Sequence, residues 1–116
     1  MFVKQKVYKR SWGVERVLHS SEKYAFKMLD FKAGGQIRLH FHTKKTQTWF
    51  VASGSFDVTL LDAATGLRIA KTVTPGMAVH IRAGVPHAVI CFQPGQIYEA
   101  STEEIKADRH GIKMRF

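Results

Sequence analysis

The amino-acid sequence predicts an all-β protein, a small antiparallel β-barrel or sandwich formed by one domain. Short segments rich in Val, Ile, Phe, Tyr and Thr recur along the chain, and several alternate apolar with polar residues. Turn sequences containing Gly or Pro separate these segments at short intervals, with no helical pattern between them. Since 116 residues suffice for one hydrophobic core but not for two, we expect a single domain over 1–116.

Eight strands are predicted between Tyr24 and Ala100. In order, they cover 24–31, 37–41, 48–52, 56–61, 67–73, 77–81, 87–92 and 96–100. The connections carry turn residues, as in KAGG, ASGS, DAATG, TPG, RAGVP and QPG. Connections this short join antiparallel strands, because parallel strands require a long crossover.

The two ends of the chain show separate patterns. The N-terminal sequence FVKQKVYK alternates like an additional strand. Because small barrels leave sheet edges and apolar faces that a partner can cover, we expect a homodimer. At the other end, Ser101 and Glu104 form a capping-box pattern, and Gly111 offers a stop signal. These residues predict a short C-terminal helix on the outside of the barrel.

The composition narrows the possible partners and the location. Eighteen Lys and Arg against nine Asp and Glu give a net charge of +9, which favours phosphorylated or otherwise anionic ligands. The basic residues are scattered without a nucleic-acid motif, so no nucleic-acid partner is expected. No apolar run approaches the ~20 residues of a membrane span. The N-terminus lacks the apolar region of a secretory signal, and the single cysteine, Cys91, forms no internal disulfide. We therefore expect a cytoplasmic protein.

Two histidines on one predicted strand form the centre of a candidate metal site. Alternate residues of a strand point to the same face, so His40 and His42 project together, with Arg38 on the same parity. The next strand begins near Gln47 after a short connection, so Gln47 can lie beside the pair. His87 begins a strand whose apolar sequence predicts burial. Three imidazoles and one amide oxygen that meet inside a barrel can hold a divalent ion. The alternative is a pair of histidines on an exposed strand edge without a metal.

The other possible ligands have simpler interpretations. His19, His80 and His110 are expected to be ordinary polar residues, and His80 faces away from the core if its two apolar neighbours face it. Cys91 is either a fourth, soft ligand or a small buried core residue. The burial preference of cysteine favours the core.

Two motifs, in order along the chain, resemble the signatures of the cupin superfamily. GGQIRLHFHTKKTQTWFVASG is similar to the first: Gly, five residues, His-x-His, three or four residues, Glu, six residues and Gly. GMAVHIRAGVPHAVIC is similar to the second: Gly, then Pro-x-Gly, two residues, His, three residues and Asn. The matching positions are Gly34, His40, His42, Gly54, Gly76, Gly84 and His87. Gln47 replaces the usual glutamate, Arg82 the proline and Cys91 the asparagine.

The resemblance implies a cupin jelly roll in which His40, His42, Gln47 and His87 bind one divalent ion, whether Zn, Mn, Ni or Fe. A neutral amide at position 47 leaves the charge of the ion uncompensated by any carboxylate. This weakens the binding of hard ions and raises the Lewis acidity of the ion that is bound. The same replacement is also consistent with a site that has lost its metal and kept its pocket.

Within the cupins, the chain resembles the small mannose-6-phosphate isomerase type. The segment SWGVERVL is similar to the Trp-Gly-x-Glu opening of that group, and YAFKMLDFKAGG to its Lys-x-Leu strand. The tail IYEASTEEIKADRHG is similar to its closing Glu-x-Ser-Thr segment and the Asp-Arg stretch that follows. This resemblance implies an aldose–ketose isomerisation, in which a proton moves between adjacent sugar carbons.

The implied reaction gives roles to four more residues. Glu99 is the candidate proton carrier, and Lys27 is the second catalytic candidate on a neighbouring strand. Arg38 is the candidate contact for an anionic substrate, and Trp49 forms an apolar wall of the pocket. The alternatives are salt bridges on the outer face of the sheet for the three charged residues, and core packing for the tryptophan.

Three functions follow from these patterns. The first is a metal-dependent isomerase or epimerase acting on a sugar or sugar phosphate. The second is a dioxygenase that activates oxygen on iron held by three histidines. The third is a binding module that holds a small molecule without converting it. The fold alone does not decide among them, whereas the metal content does.

Overall fold

The computed structural model describes residues 1–62 and 64–113 and shows an all-β protein with almost no helix. Its strands are β1 (Lys6–Arg10), β2 (Gly13–Ser20), β3 (Ala25–Phe31), β4 (Gln36–Phe41), β5 (Gln47–Val51), β6 (Ser55–Leu61), β7 (Arg68–Val73), β8 (Ala78–Ile81), β9 (His87–Gln93), β10 (Gly95–Ser101) and β11 (His110–Gly111). A single turn of 3₁₀ helix covers Lys106–Asp108. All eight strands expected between Tyr24 and Ala100 are present, each within one residue of its expected bounds.

The strands form two antiparallel sheets. One has six strands in the order β1-β2-β3-β10-β5-β8, and the other has five in the order β11-β4-β9-β6-β7. The expectation of a closed barrel is wrong, because the described pairings leave each sheet with two separate edges, β1 and β8 in one and β11 and β7 in the other. The sheets instead pack face to face, which buries their inner faces without joining the edges.

The N-terminal segment is a strand, as its alternation predicts. β1 pairs with β2 of the same chain, from Lys6 opposite Val17 to Arg10 opposite Gly13. β2 was not predicted, because its GVERVLHS sequence mixes charged with apolar residues. Its pairing to β3 also carries a bulge between Val17 and His19. β1 is exposed along its whole length. The homodimer stays a prediction.

The expected C-terminal helix is wrong. Ser101 is the last residue of β10, and its hydroxyl donates to the carbonyl of Thr102 instead of capping a helix. The carboxylate of Glu104 binds Lys27 and Lys45 rather than returning to the backbone of Ser101. Ile105 is extended, so only the short 3₁₀ turn follows. Ion pairing inside the protein therefore overrides the local capping pattern.

The hydrophobic core lies between the two sheets. It consists of Trp12, Leu29, Phe31, Trp49, Val51, Phe56, Val58, Val73, Ile81, Val89, Cys91 and Ile97. Cys91 is fully buried among these residues, and its thiol donates to the carbonyl of Gln93, so its core interpretation agrees with its position. In the described residues, no helix has the length and apolar character needed to cross a membrane.

Part of the interior is polar. On the inner face of one sheet, β3 carries Lys27, β5 carries Gln47 and β10 carries Glu99. On the inner face of the other sheet, β4 carries His40 and β9 carries His87. All five side chains are buried. Burying so many polar groups in a chain of this size requires that they be paired. The fold thus positions a charged and imidazole-rich cavity between the sheets.

Candidate metal centre

Three histidines converge between β4 and β9. His40 and His87 are direct partners in the register of these strands, and His42 follows β4 by one residue. The ring centroids are 4.3 Å apart for His40 and His87, 5.0 Å for His40 and His42, and 5.7 Å for His42 and His87. Their candidate ligand atoms all lie within 4.8 Å of one another. This group could therefore hold a metal ion, with each histidine giving one nitrogen at about 2 Å.

Backbone carbonyls orient all three rings. Nδ1 of His40 lies 2.8 Å from the carbonyl oxygen of Arg38, that of His42 lies 2.7 Å from Asp108, and that of His87 lies 2.9 Å from Val85. A carbonyl only accepts, so each Nδ1 must carry the proton and donate it. Each Nε2 is then left with its lone pair, and the backbone fixes the tautomer that a metal needs.

The environment keeps the three imidazoles neutral. Burial lowers the pKa of His40 to about 3 and that of His87 to about 4. Burial also lowers the pKa of His42, with the nearby charge of Lys45 acting in the same direction. A metal binds only the deprotonated ring. At neutral pH, no proton therefore has to leave any of the three histidines before an ion binds.

A glycine turn joins the second motif to the first. Gly84 adopts φ 86°, which a side chain would strain, and its amide donates to the carbonyl of His42 at 2.5 Å. The turn leads directly into His87 at the start of β9. This hydrogen bond therefore holds the first-motif and second-motif histidines in a fixed relation.

Gln47 lies beside the histidine group. It is buried, and its amide nitrogen Nε2 is 3.0 Å from Nε2 of His87, to which it donates. In this orientation the amide occupies the lone pair that a metal would use. Turning the amide over would present Oε1 to the same position, and the two orientations have the same shape. Its role as fourth ligand stays a proposal.

A chain of ion pairs lies in the same cavity as His40 and His42. Lys45 Nζ is 3.2 Å from Glu99 Oε2 and 3.1 Å from Glu104 Oε2. Lys27 Nζ is 3.2 Å from both Glu104 Oε1 and Glu15 Oε2. Lys27 and Glu99 are also partners across β3 and β10. Both therefore face the interior, and the alternative of an outer-face salt bridge does not apply to them.

These contacts shift the pKa values of two groups. Burial opposes the charge of Glu104, but Lys45 and Lys27 outweigh it and hold the pKa of Glu104 below its usual value. Burial likewise opposes the charge of Lys27, yet Glu99, Glu104 and Glu15 together raise the pKa of Lys27. The surrounding charges therefore favour the charged forms of both Glu104 and Lys27.

Trp49 forms part of the cavity wall. Its side chain is buried, its ring meets that of His87 edge to face at 5.5 Å between centroids, and its Nε1 donates to Glu99 Oε1 at 3.0 Å. The residue also belongs to the hydrophobic core. Both interpretations of Trp49, pocket wall and core packing, describe its position.

Arg38 lies outside this cavity. The pairing of β4 with β9 contains a bulge between Ile37 and His40, so alternation is interrupted at Arg38. Ile37 and His40 line the cavity, whereas Arg38 is exposed and lines a neighbouring groove. The expectation that Arg38 shares the parity of the histidines is wrong for this reason. His19, His80 and His110 are exposed, as expected.

Two of the histidines, His40 and His42, and the ion pairs line one cavity of about 370 Å³. Residues of both sheets contribute to it. This volume is at the lower end of the roughly 300–1,000 Å³ of small-molecule sites. A family model described as a cupin domain matches residues 27–98 of this chain.

The chain belongs to the cupin family. Solved structures with the same fold include oxalate decarboxylase from Bacillus subtilis, with a TM-score of 0.81 at 19% identity, covering 93% of this cupin and 30% of the decarboxylase chain. An RmlC-like cupin from Shewanella frigidimarina gives 0.76 at 17% identity, covering 90% and 88%. KdgF from Halomonas sp. gives 0.69 at 17% identity, covering 81% of each chain.

These likenesses support the jelly-roll fold of this cupin. The chain spans less than a third of the oxalate decarboxylase chain that it matches. A comparison with curated protein sequences gives no match. The narrower resemblance to the mannose-6-phosphate isomerase type stays a prediction.

Asp108 supports this cupin's histidine site and was not identified from the sequence. Its carboxylate accepts from the amides of Thr43, Lys44 and Lys45 at 2.7, 3.0 and 3.0 Å, and from the Thr43 hydroxyl at 2.5 Å. These bonds, led by the Thr43 hydroxyl, lower the pKa of Asp108. Its carbonyl meanwhile accepts from His42. One residue thus fixes both the loop after the His-x-His pair and the orientation of His42.

Five charged residues of the cavity were also missed, namely Arg10, Glu15, Lys45, Glu104 and Arg109. Lys45 lies in the connection between His42 and Gln47, where charged residues ordinarily face solvent. Glu104 was assigned to a helix cap. Glu15 is the glutamate of the Trp-Gly-x-Glu segment, but that resemblance did not assign it to the site. For the others the sequence shows mainly an excess of charge, which does not distinguish a buried ion pair from a solvated surface.

Proposed function

We propose that this cupin is a metal-dependent isomerase or epimerase that acts on a sugar or sugar phosphate by metal-assisted proton transfer at the carbon next to the carbonyl group. His40, His42 and His87 would hold one divalent ion, with Gln47 as the fourth ligand. The observation that carries the proposal is the convergence of three neutral, backbone-oriented imidazoles, of which His40 and His42 line the cavity that also holds the carboxylate of Glu99.

The donor set suits a divalent transition metal. Three unprotonated imidazole nitrogens favour Zn, Fe or Ni, and Mn is favoured by the Mn(II) centres of the oxalate decarboxylase that shares this fold. When bound, such an ion would supply Lewis acidity, polarising a carbonyl or hydroxyl oxygen of the substrate. Turning over the Gln47 amide would add a neutral oxygen and release His87 Nε2.

Glu99 would carry the proton. Trp49 donates to one of its oxygens and Lys45 to the other, so the carboxylate is fixed in position and stabilised as an anion. It would accept a proton from the carbon next to the substrate carbonyl. In an isomerisation it would return this proton to the former carbonyl carbon while the hydroxyl proton passes to the former carbonyl oxygen, and in an epimerisation a proton would return to the same carbon from the opposite face. Lys45 would hold the Glu99 carboxylate in position throughout the transfer.

Lys27 would act as a fixed cation. Its raised pKa argues against a role as proton donor at neutral pH, and its two carboxylate partners hold it on the cavity wall. A cation in this place would attract an anionic substrate and donate to a substrate hydroxyl. Lys27 and Glu99 would therefore divide binding and proton transfer between them.

An iron dioxygenase is the second candidate. It is favoured by one observation: the described metal-candidate group consists of histidines alone, without a carboxylate. Tightly held iron together with oxygen consumption would support this function. Zn, Mn or Ni without oxygen chemistry would support the isomerase. A protein that stays free of metal when metals are supplied would be a binding module.

The test measures proton exchange. Untagged protein loaded with Zn, Mn, Ni or Fe(II) is incubated in D₂O with aldose and ketose phosphates, and deuterium at the carbon next to the carbonyl is followed by NMR. We expect exchange with at least one metal, and a loss of about a hundredfold or more in Glu99→Gln. The matched control is Asp57→Asn, which changes a carboxylate outside the cavity. Full exchange in Glu99→Gln would contradict the proposed role of Glu99.

A further inference from the structure

A basic groove lies beside the metal-site cavity. Its lining includes four cationic side chains and no acidic residue, and the four are Lys32, Arg38, Arg109 and Lys113. All four are exposed. The groove encloses about 1100 Å³, compared with about 370 Å³ for the cavity. It therefore has room for a ligand portion larger than the one that reaches the histidines.

The charge of the groove is not balanced by the protein. Among the described residues, none of its four cations lies within salt-bridge distance of a carboxylate. The cavity differs, because Lys27 and Lys45 are each shared between two glutamates there. Four cations without internal partners create a positive potential that attracts anions. Arg38 lines this groove because the β4 bulge directs Arg38 away from the histidines.

The groove adjoins the cavity. Trp12, Ile37 and Arg109 line both of them. Arg109 and His40 line the same cavity, so Arg109 connects the groove with the histidine end of that cavity. One molecule can therefore contact the histidines at one end and the cationic groove at the other.

We propose that the groove binds an anionic extension of the substrate, a segment carrying more than one phosphate or carboxylate group. The inference rests on the proposed function for the reacting end, which occupies the cavity, and on the charge of the groove for the extension. The substrate class is thus an elongated sugar derivative, either a sugar diphosphate ester or an acidic oligosaccharide, rather than a lone neutral sugar. Arg38 and Lys113 would contact the anionic groups directly.

Calorimetric titration tests the groove separately from the metal site. The probes are inorganic pyrophosphate, trigalacturonate and the neutral maltotriose, titrated at low salt into protein that was freed of metal with EDTA and then dialysed to remove the EDTA. The test variant is Arg38→Glu/Lys113→Glu. A second variant, Arg38→Gln/Lys113→Gln, removes charge without adding repulsion, in case the reversal unfolds the protein. The matched control is Lys71→Glu, which reverses the charge of one exposed lysine in the same way. Lys71 lies on β7, at the opposite edge of the sheet from β11.

We expect at least one anionic probe to bind and maltotriose not to bind. Tighter binding of pyrophosphate would indicate a sugar diphosphate ester as the ligand, and tighter binding of trigalacturonate would indicate an acidic oligosaccharide. Affinity should fall about tenfold or more in the test variants and stay within about twofold in Lys71→Glu. In His42→Ala, which removes a metal ligand, groove binding should persist even if the proposed catalysis fails. No binding of either anion at about 1 mM, or an equal loss in Lys71→Glu, would overturn the proposal. The proposal would also be overturned if a single-stranded DNA oligonucleotide bound in a manner that depends on Arg38 and Lys113 while neither anionic probe bound.

Discussion

His40 and His87 face each other across β4 and β9, with their ring centroids 4.3 Å apart and each Nδ1 donating to a backbone carbonyl two residues earlier in the chain. Two neutral imidazoles fixed in this way bring their lone pairs toward a shared space. A cation placed there would interact favourably with both. The pair therefore explains why a metal would bind here without any rearrangement of the sheet.

Gln47→Glu should tighten the binding of a divalent ion about tenfold, because a carboxylate adds charge attraction that an amide lacks. Titration of metal-free protein with zinc and with manganese measures this change, with melting temperature recorded at each point. If the site instead works without a metal, the new carboxylate lowers the melting temperature, since burial opposes its ionisation. A lower melting temperature that neither metal restores would contradict the role of Gln47 as a ligand.

Asp108→Asn should weaken metal binding about 10- to 100-fold, the usual range for a residue that supports a ligand from outside the coordination shell. The asparagine keeps the carbonyl that accepts from His42 but loses the charged acceptor of the three loop amides. Asp57→Asn, on β6, is the control and should leave both metal affinity and melting temperature unchanged. Zinc affinity equal to that of the wild type would show that the loop does not position His42.

Glu104→Gln should destabilise the protein at pH 7 and have little effect in acid. The folded pKa of Glu104 lies below its ordinary value of 4.5 because Lys45 and Lys27 bind the charged form. As the pH falls, Glu104 is therefore protonated in the unfolded chain before it is protonated in the folded protein. The stabilisation from its ion pairs is present above pH 4.5 and is lost as the pH falls through the folded pKa. Melting temperatures of both proteins from pH 7 to pH 3 should converge. A constant difference across this range would contradict the ion pairing.

The homodimer can be tested by sedimentation. β1 is exposed on both faces, and Phe2, Val3, Val7 and Tyr8 around it are exposed apolar residues that a second copy would cover. At micromolar concentration the protein should sediment as a species of twice the chain mass. A species of 13.1 kDa would contradict the prediction.

Local patterns predicted most of the strands and the metal-candidate histidines. Turn residues and alternation placed eight strands, and the spacing of the His-x-His pair and His87 placed three side chains that the register brings together. Arg38 was misplaced because a bulge breaks alternation without any signal in the sequence. Asp108 and Glu104 could not be found, since their partners lie more than fifty positions away in the chain. The closure of a barrel likewise depends on which edges meet, and strand patterns do not specify this.

The central claim is that the three histidines bind one metal ion, and metal analysis of protein purified without a histidine tag tests it most directly. After incubation with zinc or manganese and removal of excess ion, the protein should retain about one ion per chain. His42→Ala should retain almost none, with its affinity reduced by about two orders of magnitude or more. The control His19→Ala, which removes an exposed histidine on β2, should retain as much as the wild type. Wild-type protein that holds no ion, or a His42→Ala variant that holds as much as the wild type, would contradict the account.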